Sequence, residues 1–143
     1  MPTSRATATW NGVLRSGNGK FEAGSGQFAG AYTFATRFEG TKGTNPEELI
    51  AAAHAACFSM ALSAGLEKAG TPATTITTKA ACTLEIVEGA ARITTMELHV
   101  RGRVDGIDNA AFVAAAEGAK VNCPVSKALQ GNLDVRLDAA LES

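Results

Sequence analysis

Two cysteines in contrasting settings carry the chemistry this chain could perform. Cys57 lies inside a long, almost chargeless stretch of helical character, where a thiol is ordinarily inert packing. Cys123 stands directly before Pro124 at the start of a short helical pattern, where the positive end of a helix dipole lowers a thiol's pKa. One quiet and one activated thiol suit redox chemistry better than two structural residues. An apolar helix raises the pKa of Cys57, so a catalytic role requires a nearby cation. His54 sits three residues back on an adjoining helix face and reads as a packed, hydrogen-bonded residue with a supporting role at best. Arg37 is permanently charged and could stabilise a thiolate while donating to a substrate oxygen. Glu47 could hold Arg37 in a bidentate pair. Each also has a plainer reading: Arg37 as a strand-end surface arginine, Glu47 as a charge favoured at a helix N-terminus.

Spacing adds a constraint. Glu47 and Cys57 are ten residues apart, about 15 Å along a regular helix, too far to share a compact site within that helix alone. If both serve one site, either Arg37 bridges the gap or Glu47 comes from a second subunit. Cys82 falls on the apolar face of a strand and reads as structural. His99 falls on a polar strand face. No C-x-x-C or H-x-x-x-H spacing occurs, so no metal site is expected.

The elements that must position these residues are legible. The chain has 143 residues, enough for a single domain over 1–143 with a real core. Hydrophobic residues are 45% and charged residues 19%, ordinary for a globular protein, and the net charge of −1 points to neither nucleic acid nor an anionic membrane as partner. No N-terminal stretch has signal-peptide order, and three cysteines do not make a disulfide framework, so a reducing cytoplasmic setting is expected. The apolar run 49–66 contains His54, Ser59 and Ser63 and reads as a buried core helix rather than a membrane span.

Short alternating segments over 7–14, 20–24 and 31–38 predict strands, with a turn at 16–19. Asn45, Pro46 and Glu48 open a helix that Gly70 and Pro72 close. Its apolar surface is assigned to Leu49, Ile50, Ala53, Ala56, Cys57, Met60 and Ala64. Small residues nearly all round suggest enclosure by sheet or by another subunit. A hairpin follows, turning at Glu88–Gly89, with Met96, Leu98, Val100 and Val104 inward. Asp108 caps a second helix over 109–120, Cys123–Pro124 begins a helical turn, and a last strand carries Leu133, Val135, Leu137, Ala139 and Leu141. The order gives an α+β domain.

Arg37-Phe38-Glu39-Gly40, then Gly43 through Ile50, then the run 51–62 with His54 and Cys57, strongly resembles the osmotically inducible protein C (OsmC) family. Asn122-Cys123-Pro124-Val125-Ser126 is similar to that family's second cysteine motif. The match around Arg37 favours the OsmC branch over its organic hydroperoxide resistance (Ohr) sister branch. The resemblance spans essentially the whole chain. It implies an OsmC-like fold of antiparallel sheets wrapped around a long central helix in an intertwined homodimer. It also implies a thiol peroxidase acting on organic hydroperoxides, and more weakly on hydrogen peroxide, in oxidative and osmotic stress. By carry-over, Cys57 is the peroxidatic cysteine, Cys123 resolves it as a disulfide, Arg37 activates thiolate and peroxide, and Glu47 orients Arg37. The implied reductant is a dithiol such as a lipoylated protein, with no metal or other cofactor. Phe38, Phe58 and Met60 are apolar residues that would favour bulky substrates. Two further readings stand beside it: a non-enzymatic binding module with incidental cysteines, and a cysteine enzyme using His54 as base for acyl transfer.

Overall fold

A computed structural model describes residues 1–142. The chain divides into two units, Met1–Leu49 and a second beginning at Ile50. In the first, β1 (Ala6–Asn11), β2 (Asn18–Ala23) and β3 (Ala29–Tyr32) form an antiparallel sheet in chain order. Gly19 pairs with Trp10 on one side and Tyr32 on the other, and their ring centroids lie 5.5 Å apart. A Cβ on Gly19 would come within 2.7 Å of both rings, so only glycine permits that stack. The strand expected over 7–14 ends at Asn11, because Gly12 takes a left-handed φ of 89° and turns the chain.

The strand expected over 31–38 is corrected. β3 stops at Tyr32, and Phe34–Phe38 is a short helix, α1. Thr33 and Thr36 make a reciprocal capping box: the Thr36 N–H donates to Thr33 Oγ1 at 3.2 Å and the Thr33 N–H to Thr36 Oγ1 at 3.0 Å. That local pairing overrides the alternation of the segment. Asn45 then links α1 to the next helix. Its Oδ1 accepts the Glu48 N–H at 2.9 Å, and its Nδ2 donates to the Thr36 carbonyl at 3.1 Å.

Helix α2 spans Pro46–Lys68. It ends where Gly70 adopts φ 83° and the Thr71 N–H reaches back to the Leu66 carbonyl at 2.9 Å. Its 23 residues, with a mean hydropathy of 1.7 over the most apolar window, are long and apolar enough to cross a membrane by length and composition. The side facing the core is carried by His54, Phe58, Leu62 and Leu66, all buried. Of the apolar surface expected on this helix, Leu49, Ile50 and Cys57 are half-buried, and Ala53, Ala56, Met60 and Ala64 are exposed in the single chain, Met60 at 75%.

In the second unit, β4 (Ala73–Val87) and β5 (Ala90–Val104) form a long antiparallel hairpin. Glu88 and Gly89 both have positive φ, 52° and 82°, the geometry of a two-residue hairpin turn that matches strand twist. Helix α3 (Asn109–Asn122) starts at Asp108, whose Oδ1 accepts the Ala111 N–H at 2.8 Å. Helix α4 (Pro124–Leu129) follows at once, then β6 (Asp134–Leu141). β6 pairs with β5 in parallel, a departure from the all-antiparallel sheets expected. The helical connection through α3 and α4 supplies the crossover that parallel neighbours require. Met96, Leu98 and Val100 of β5 are fully buried with Phe58, Leu62, Phe112, Ala116 and Cys123. Gly102 lets Phe112 lie flat on β5; a Cβ there would approach the ring to 2.6 Å.

Candidate functional site: a thiol pair and an arginine–glutamate pair

The first unit contains an ion pair held by its own elements. Arg37 projects from the last turn of α1 and Glu47 from the first turn of α2. Arg37 Nη2 donates to Glu47 Oε1 at 2.7 Å, and Nε donates to Oε1 at 3.1 Å and Oε2 at 3.3 Å. Glu47 is buried while the Arg37 side chain is 34% exposed. The guanidinium also lies 5.4 Å from the Phe38 ring centroid. Glu47 engages the Nε and Nη2 edge, which leaves Nη1 outside the pair. A fixed, permanently charged fork of this kind can present a donor to an oxygen.

The second unit brings the two thiols together. Cys57 is half-buried on α2, and Cys123 is fully buried between α3 and α4. Both are free, and each thiol contributes to the other's pKa shift, so the two side chains are neighbours. Burial first, and then the Cys123 thiol, push the pKa of Cys57 up, against a smaller lowering from the Val125 backbone. Burial opposes charge on Cys123 too, but the Ser126 N–H, the Cys57 thiol, the Ser126 hydroxyl and the Val125 N–H bring it below its ordinary value. Those amides face the sulfur at the start of α4 without completing a side-chain cap hydrogen bond. The two directions together favour charge on Cys123 over charge on Cys57. Access runs the other way, since Cys57 is the more exposed thiol.

His54 is fully buried, and burial lowers its pKa, so it is neutral at pH 7. Its Nε2 lies 2.7 Å from Ser126 Oγ, not against Cys57, which removes the geometry an acyl-transfer base would need. Ser126 is not among the residues that the sequence singles out for chemistry; its place three residues after Cys123, on the first turn of α4, is the signal that points to it. Of the apolar residues expected near substrate, Phe58 is sealed in the core while Met60 is exposed. Cys82 lies beside the core on β4, and His99 contacts Asp138 at 3.3 Å on the exposed face of β5. Among the described residues, no group of three or more His, Cys, Asp or Glu side chains could hold a metal ion.

Comparison with known proteins supplies the family. Residues 39–138 match the OsmC family of OsmC-like proteins. The chain belongs to it. It is 45% identical to the peroxiredoxin OsmC of Escherichia coli K12 over 140 residues, 97% of this chain and 96% of that one. Identity to the organic hydroperoxide resistance protein OhrA of Bacillus subtilis is 34% over 102 residues, 69% of each. A crystal structure of an organic hydroperoxide resistance protein from Elizabethkingia anophelis superposes with a TM-score of 0.80 at 28% identity, covering 99% of this chain and 98% of that one. The mixed α+β fold expected from the sequence is thus that of OsmC and Ohr proteins, with the longer match on the OsmC side.

Proposed function

We propose that this chain is a cysteine-based peroxidase that reduces organic hydroperoxides, and hydrogen peroxide more weakly, through Cys57 and Cys123. The observation that carries this reading is the pairing of a more exposed thiol with a buried neighbouring thiol whose pKa is lowered. The names of its relatives, a peroxiredoxin and organic hydroperoxide resistance proteins, support it.

The Cys57 thiolate attacks the outer oxygen of the O–O bond. That bond breaks, the alkoxide leaves and takes up a proton as an alcohol, and Cys57 becomes a sulfenic acid. The Cys123 thiolate attacks the Cys57 sulfur, hydroxide leaves as water after protonation, and a disulfide forms. An external dithiol, such as a protein-bound lipoyl group, reduces the disulfide by exchange and is itself oxidised. Arg37 supplies the charge that Cys57 lacks in its own unit and donates to the leaving oxygen, and Glu47 holds it in place.

Helix geometry separates Glu47 from Cys57, and α2 exposes an apolar side with Met60 at 75%. Both support a homodimer in which residues 1–143 act as one OsmC-like domain per chain. A reducing cytoplasm, where stress generates hydroperoxides, fits thiols that cycle. The test is hydroperoxide-dependent oxidation of a dithiol. Wild type should turn over a bulky organic hydroperoxide faster than hydrogen peroxide, and Cys57→Ser should be inactive. Full turnover by Cys57→Ser would overturn the mechanism.

A further inference from the structure

Behind the thiol pair, the side chains of Ser126 and His54 continue inward from Cys123. Ser126 Oγ lies 2.7 Å from His54 Nε2, and Ser126 stands in the first turn of α4, three residues after Cys123, where its hydroxyl helps to lower the Cys123 pKa. His54 Nδ1 is buried and has no hydrogen-bond partner among the described residues. A neutral imidazole carries one N–H, and an orphaned buried N–H is rarer in proteins than an under-used acceptor. The hydrogen therefore belongs on Nε2, where it has a partner. Ser126 Oγ then accepts from His54, and its own hydrogen is free for the Cys123 sulfur.

We propose that His54 and Ser126 form a positioning relay that aims a hydroxyl hydrogen at Cys123 Sγ and makes Cys123 the leaving sulfur when the disulfide is reduced. This rests on the peroxidase reading for its catalytic meaning. An incoming thiolate attacks Cys57, the more accessible sulfur. The S–S bond breaks and its electron pair passes to Cys123 Sγ, where the Ser126 hydroxyl and the α4 amides receive the charge. A second thiolate of the same dithiol then displaces Cys57, leaving the dithiol oxidised and both cysteines reduced.

Stabilising the reduced form raises a disulfide's reduction potential. The relay is tested by the potential of the Cys57–Cys123 couple, poised against a dithiol buffer at mildly alkaline pH, which needs no peroxide turnover. Ser126→Ala should shift the equilibrium toward the disulfide by about tenfold, a fall of about 30 mV for two electrons. Ser126→Thr, which keeps the hydroxyl, should stay near wild type. His54→Leu should move the potential in the same direction as Ser126→Ala, and the double variant should move it no further than Ser126→Ala alone. An unchanged potential in Ser126→Ala, or full additivity in the double variant, overturns the relay while leaving the peroxidase reading intact. A wild type that never forms the Cys57–Cys123 disulfide defeats both.

Discussion

Arg37 Nη2 and Glu47 Oε1 meet at 2.7 Å, with the arginine's Nε on the same carboxylate. The pair joins the end of α1 to the start of α2, and Asn45 fixes the turn between them through the Thr36 carbonyl. Lysine cannot reproduce this two-point contact, and glutamine removes its charge. Arg37→Lys and Glu47→Gln should each slow the second-order reaction with an organic hydroperoxide by roughly ten- to a hundredfold, read by stopped flow. Arg37→Ala should also move the pH profile of that step upward, because burial and Cys123 already raise the Cys57 thiol pKa. Wild-type kinetics in all three would remove the pair from its assigned role.

His54 makes stability depend on pH. Its pKa lies below the ordinary 6.5 because burial disfavours the cation. Below that value the unfolded chain binds a proton that the folded chain does not, so unfolding gains free energy from acid. The stability due to neutral His54 is present above 6.5 and is lost as the pH falls toward the folded value. Denaturation midpoints of wild type should therefore drop from neutral to mildly acidic pH, and His54→Gln should flatten that slope. An equal slope in both proteins would show that His54 does not titrate differently on folding.

Met60 tests the proposed dimer. It stands 75% exposed on α2 beside Ala53, Ala56 and Ala64, on the side opposite Phe58 and Leu62. Burying such a side chain stabilises an interface by about 1.5–3 kcal/mol, and a carboxylate there opposes association. Sedimentation should give a dimer for wild type and a shift toward monomer for Met60→Asp. A monomeric wild type at working concentration would contradict the dimer.

Much of this architecture was legible because its signals are local. Asn45 and Asp108 accept the capping hydrogen bonds their positions implied, and Glu88–Gly89 makes the expected two-residue turn. α1 is hidden in the sequence because Phe34 and Phe38 sit in an alternating stretch, and its cap pairs two threonines instead of a threonine with a glutamate. Alternation in β6 reveals which residues share a face, but nothing about direction, so its parallel pairing with β5 was not visible. Arg37, Glu47, Cys57 and Cys123 stand out by residue type alone, and in the structure Arg37 pairs with Glu47 while Cys57 neighbours Cys123. The His54–Ser126 contact joins distant segments, and only the fold brings it about.

The central claim is that Cys57 takes the peroxide oxygen and Cys123 resolves it. Peptide mapping of reduced protein treated with one equivalent of an organic hydroperoxide tests it most directly. The account predicts a single Cys57–Cys123 disulfide in wild type, and a sulfenic acid confined to Cys57 in Cys123→Ser. A Cys57 that stays reduced while the hydroperoxide is consumed would contradict it.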